Sequence, residues 1–104
     1  MVYKNTLQRG SVRYIVFKEN DIWCATGLEF NIVEFGSTPE EALLLLFEAL
    51  AGYVESAKKI KARPHLLNQK PDPEYERMWS LLENGKKIPL KQIFAFGERS
   101  LVAV

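Results

Sequence analysis

Residues 12–17, VRYIVF, form a run of β-branched and aromatic side chains. Turn-like clusters bound it, Arg9-Gly10-Ser11 before and Lys18-Glu19-Asn20-Asp21 after. Such a run between turn residues predicts a strand. Residues 22–26 and 31–35 predict two more, separated by a bend at Gly27-Leu28-Glu29. Residues 3–8 are expected to add an N-terminal hairpin strand across Arg9-Gly10. The first third thus predicts a meander of three or four short antiparallel strands.

The period changes at Gly36-Ser37-Thr38-Pro39-Glu40-Glu41. The Thr38 hydroxyl can accept a bond from an orphan N–H of a helix start, and Pro39 suits the first helical position. Glu41 can bond back to complete a capping box, and both glutamates suit the positive end of the dipole. A helix over residues 39–60 follows. Ala42, Leu43, Leu46, Leu50, Tyr53, Val54 and Ala57 recur at helical spacing and are expected to cover the sheet. Glu41, Glu48, Glu55 and Lys59 line the opposite face, and Lys58, Lys59 and Lys61 complement the negative end.

Pro64, Pro71 and Pro73 exclude continuous helix over residues 62–73, which read as a connection. Asp72-Pro73-Glu74 starts a second helix, with Tyr75, Met78, Trp79 and Leu82 as its apolar stripe and Asn84-Gly85 as its end. Leu45 shares a face of the first helix with Glu41 and Glu48. The stripe at Tyr75, Met78 and Trp79 is expected to cover it, with Gly52 permitting close approach. Residues 93–96 and 100–104, split by Gly97-Glu98-Arg99, predict two short strands, with a helix from Pro89 as the alternative. The expected fold class is α+β: an antiparallel three- to four-stranded meander covered by one long helix, plus a C-terminal helix and short strands. Residues 1–104 form one domain, with strands and main helix in 1–60 and an extension, 61–104, packed on it.

Composition narrows the picture. A chain of 104 residues with 47% hydrophobic and 26% charged residues supports one core. A formal net charge of +1 gives no overall pull toward nucleic acid or membrane. The single cysteine, Cys24, excludes an intramolecular disulfide and a cysteine-built zinc site, and fits a reducing cytoplasm. No signal peptide precedes the first charges, and the most apolar stretch, residues 42–50, is too short to span a bilayer and contains Glu48. A cytoplasmic protein with no membrane segment is expected.

Candidate chemistry is sparse. A metal-dependent nuclease needs several converging carboxylates. Here Asp21 lies in a turn, Asp72 at a cap, Glu34 near a strand end and Glu48 on a helix face, and solvation explains each. His65 is the only histidine and has no second histidine to share a metal. Cys24 sits within an apolar strand and reads as a structural thiol. The six glycines are dispersed singly, with no phosphate-cradling loop. The run Lys58-Lys59-Ile60-Lys61-Ala62-Arg63 reads as a helix C-terminus rather than a phosphate patch. No catalytic residue, metal site or cofactor is expected, and the chain is not expected to be an enzyme.

One constellation is more specific. Asp21-Ile22-Trp23-Cys24-Ala25, then Gly36-Ser37-Thr38-Pro39-Glu40-Glu41-Ala42-Leu43, then a helix carrying Glu48-Ala49 and Tyr53, resembles the HicB family over about residues 12–57. The resemblance implies a partial RNase H-like fold without an active site. It implies an antitoxin that masks HicA, a small RNA-cleaving partner with a fold like a double-stranded-RNA-binding domain. Many members carry a C-terminal helix-turn-helix or ribbon-helix-helix domain. Residues 61–104 do not read as either, so DNA binding is not expected. The expected contacts to a basic toxin are Asp21, Trp23, Glu29, Phe30 and Glu34, while Thr38 and Glu41 cap the main helix. A homodimer or larger is expected, because a small sheet must manage its edges. The alternative is an orphan HicB-like domain that self-associates in a structural or regulatory role. Beyond it stand a metal-dependent nuclease and a nucleic-acid binder using Lys58, Lys59, Lys61 and Arg63.

Overall fold

Side chains alternate across a strand, and in β1 (Ser11–Glu19) they are apolar on both sides. Val12, Tyr14 and Val16 point one way, Ile15 and Phe17 the other, and all except Tyr14 are essentially buried. A strand of this kind needs cover on both faces. The computed structural model, which describes residues 3–101, shows how it is supplied. β2 (Ile22–Gly27) and β3 (Ile32–Gly36) continue the meander, α1 (Pro39–Lys59) and α2 (Pro73–Glu83) follow, and β4 (Gln92–Ser100) ends the order. The strands form one antiparallel sheet in the order β3-β2-β1-β4.

Each helix takes one face. Ala42, Leu46, Leu50, Val54 and Ala57 of α1 pack on Val12, Val16 and Ala25, and Tyr14 meets Phe47 edge-on at 5.2 Å. Met78 of α2, flanked by Tyr75, Trp79 and Leu82, packs on Ile15, Phe17 and Cys24. The sheet is therefore the middle of three layers. This corrects the expected cover of Leu45: α2 lies on the other side of the sheet. Among the described residues nothing stands within 4 Å of a Cβ built at Gly52, so α2 does not use that glycine for close approach.

Local chemistry places the turns and helix ends. Asn20 and Asp21 both adopt positive φ, 52° and 64°, as a two-residue hairpin turn requires, and these residue types tolerate it. Thr38 Oγ1 accepts from Glu41 N–H at 3.1 Å. The Glu41 carboxylate reaches back to Ser37 N–H at 2.9 Å, one residue earlier than the expected capping box. A Cβ on Gly36 would lie 2.7 Å from the backbone nitrogen of Ala42, so the start of α1 rests directly on this glycine. Asp72 Oδ1 caps α2 through Glu74 N–H at 2.8 Å. Thr38→Ala is expected to cost about 1 kcal/mol of stability, the usual worth of such a cap. Urea denaturation checks it, and an unchanged midpoint would show that the hydroxyl contributes nothing.

The chain ends depart from expectation. Residues 3–8 form no strand. Their anchor is the fully buried Asn5, which accepts from Ser11 N–H and donates to Leu67 O, both at 2.8 Å. The neighbour of β1 is instead β4, a single nine-residue strand that runs straight through Gly97-Glu98-Arg99. Gly97 does not break it because Tyr14, its cross-strand partner, lays its ring over the bare backbone; a Cβ there would sit 3.0 Å from the phenol oxygen. The helix from Pro89 is not formed. Of the second tail strand expected at 100–104, Ser100 ends β4 and residues 102–104 lie outside the described residues.

Candidate functional site

Of the five residues expected to touch a partner, two are interior. Phe30 is 3% exposed and stacks on Tyr53 at 4.5 Å, as part of the core beneath α1. Glu29, in the short helical turn Leu28–Phe30, is 7% exposed. Its carboxylate accepts from Arg13 N–H at 2.9 Å, Arg13 Nε at 2.7 Å and Lys4 Nζ at 3.0 Å. Burial acts to raise the Glu29 pKa, but the hydrogen bonds from Arg13 and Lys4 outweigh it and hold the carboxyl below its ordinary range. Both residues are thus corrected from surface contacts to structural ones. The apolar position of Phe30 and the turn before β3 draw this segment inward.

Arg13 is the hub of that network. Its other two guanidinium nitrogens hold Glu76 of α2 as a bidentate pair at 2.6 and 3.0 Å, and its plane lies over the Trp79 ring at 5.5 Å. The hydrogen bond to Glu76 is the foremost cause that raises the Arg13 pKa further. One side chain therefore ties β1, the Leu28–Phe30 turn and α2 together. Sequence reading missed it, although a lone arginine inside an apolar strand is a signal.

The other three candidates remain accessible. Asp21 is exposed in the β1–β2 turn, at the opposite end of β2 from Glu29. Trp23 is half-buried on the α1 face, edge-on to Phe94 at 6.1 Å, with Lys18 over its ring at 5.8 Å. Glu34 pairs with Ala25 on the same face, in edge strand β3. Cys24 is buried, and desolvation raises its pKa, which suits a structural thiol. Among the described residues, no three His, Cys, Asp or Glu side chains gather as a metal site. None of the described helices is long and apolar enough to cross a membrane.

The most distinctive surface is the outer face of α1. Leu44 is 60% exposed there, and exposed Glu40, Glu41 and Glu48 lie one helical turn away from it. Residues 1–57 hold eight acidic and four basic side chains, and residues 58–104 hold five and ten. The near-zero net charge conceals this division. The exposed run Lys58 to Arg63 sits at the far end of α1, with Lys59 near Glu55 at 3.7 Å. On the other sheet face, an open groove of about 620 Å3 lies between β3 and the start of α2, lined by Val33, Lys70, Pro71 and Tyr75 among others. No family model matches this chain, and no curated protein or solved structure matches it.

Proposed function

We propose that this chain is a protein-binding module of the HicB-like antitoxin type, which neutralises a small basic RNA-cleaving toxin by occupying its RNA-binding surface. The observation that carries the reading is Leu44, an exposed apolar side chain ringed by Glu40, Glu41 and Glu48 on α1. An apolar centre supplies burial, and a carboxylate rim complements a basic partner and raises the association rate. β3, the edge strand on which α1 begins, carries the half-buried Glu34 as a further acidic residue. The four-stranded sheet with α1 laid over its first three strands, the capped helix start at Thr38 and the Gly36 contact support the resemblance to HicB.

The test uses the product of the neighbouring small reading frame, expressed with and without this protein while growth is followed. Co-expression is expected to restore growth, and the two proteins are expected to co-purify. Glu40→Lys with Glu48→Lys should weaken binding at least about tenfold, equivalent to about 1.4 kcal/mol. Both spare Glu41, whose carboxylate holds Ser37 N–H. Neutralising Lys58, Lys59 and Lys61 should leave binding unchanged. A non-toxic neighbour, or a toxic one unaffected by co-expression, removes the antitoxin reading.

A further inference from the structure

At the sheet edge away from Glu34, β4 presents a second surface. Leu101 N–H donates to Gly10 O at 3.0 Å, in the same register that pairs Val12 with Arg99 and Tyr14 with Gly97. Antiparallel ladders alternate, so the backbone groups of Gly97 and Arg99 turn inward to β1. Those of Phe96 and Glu98 turn outward, to an edge that no strand among the described residues pairs. Native edges are usually blunted by brevity, lysine, proline, cover or a bulge. β4 has nine residues, QIFAFGERS, without lysine or proline, and Phe94 and Phe96 are 46% and 44% exposed. Its edge devices are the bulge at Phe94 and the charges of Glu98 and Arg99, all outside residues 95–97.

We propose that the β4 edge pairs antiparallel with β4 of a second copy of this chain, about a twofold axis through Phe96. Charge removes two neighbouring registers, and the meeting of two rings favours this one. An axis at Glu98 sets two carboxylates against each other, and one at Arg99 sets two guanidinium groups together; like charges directly opposite are destabilising. The axis at Phe96 instead brings two aromatic rings together, each flanked by the Trp79 that already meets it edge-on at 5.8 Å. Ala95 then lies across from Gly97 of the other copy, and neither obstructs approach. Such a contact closes on itself, whereas β4 joined to β3 of another copy leaves free edges and propagates.

The area sets the strength. A fully buried aromatic ring contributes roughly 200 Å2. The exposed halves of two therefore bring on the order of 200 Å2 per copy, about a quarter of a standard partner contribution. The backbone ladder leads the contact, and the association belongs to the weak, transient class.

Sedimentation of the full chain alone, over about 1–100 µM, reads this directly. The mass is expected to double with concentration, and the Phe96 and Glu98 amides to become protected from hydrogen exchange in step. Phe96→Lys should hold the chain monomeric with an unchanged circular dichroism spectrum, while Phe35→Lys on the β3 edge should leave the dimer intact. A monomer throughout overturns the proposal, as does a dimer lost on Phe35→Lys but kept in Phe96→Lys. If Phe96→Lys does not fold, exchange in the parent decides, because unprotected Phe96 and Glu98 amides in a dimer also overturn it. No toxin is in the tube, so the result is independent of the antitoxin reading.

Discussion

Arg13→Ala is expected to lower the unfolding free energy by about 3 kcal/mol and to loosen α2 from the sheet. The substitution leaves the Glu29 carboxylate in its buried turn with Lys4 as its remaining ion partner and frees Glu76 altogether. Removing one member of a buried pair strands the other charge, and such losses run at roughly 3–5 kcal/mol. Lys4, itself 41% exposed, keeps the expectation at the low end. Stability should also depend on acid. The folded pKa of Glu29 lies below its unfolded value, so its contribution is present above the ordinary carboxylate range and is lost as pH falls through the folded pKa. Arg13→Ala should flatten that acid slope. Equal urea midpoints at pH 7, or an unchanged acid slope, would show that the network carries little.

Phe17→Ala is expected to cost more, about 3–5 kcal/mol. Phe17 is 1% exposed, meets Tyr75 at 6.0 Å between ring centres and lies beneath the Lys91 ammonium at 5.4 Å. Its deletion opens a cavity between the sheet and a helix of only 11 residues, which has little else to collapse onto it. At roughly 4–8 °C per kcal/mol for a domain of this size, the melting temperature should fall by well over 10 °C. Phe35→Ala, at a ring already 57% exposed, should change it by no more than a few degrees. Similar losses at the two positions would contradict the assignment of Phe17 to the second core.

These residues also show which features could be read from the sequence. Strands β1 to β3, α1 and both caps follow from local rules: the β-branched and aromatic run at 12–17, helical spacing from Ala42 to Ala57, and hydroxyl or carboxylate caps at Thr38 and Asp72. Pairing of distant segments leaves no local trace. Nothing within residues 92–100 says that the strand joins β1, and Gly97 reads as a break until Tyr14 is seen across from it. The two-sided burial of β1 was the available signal that α2 belongs on the second face. The proposed partner surface was half legible. Acidic residues were the candidate contacts, but Glu29 follows Leu28 and precedes Phe30 into the interior, where Arg13 holds it. The sequence pointed to Leu45 on that face, whereas the exposed residue is its neighbour Leu44, and an apolar side chain on a charged helix face is the sign of something to be covered.

The position of β1 in the middle of the sheet governs the order in which the fold can be completed. Its pairing with β2 closes across a two-residue turn, and β3 and α1 follow within the first 59 residues. Its pairing with β4 joins residues 11–19 to residues 92–100 and must wait until the latter are made. Local contacts form fast and long loop closures slowly, so a β1-β2-β3-α1 unit should assemble first. During that interval β1 has one bare edge, and Ile15 and Phe17 have no helix over them. The exposed intermediate is therefore the apolar one, and a nascent chain emerging N-terminus first spends longest in that state. Variants that slow the docking of α2 and β4 should reveal themselves as aggregation during synthesis before they register as lost equilibrium stability.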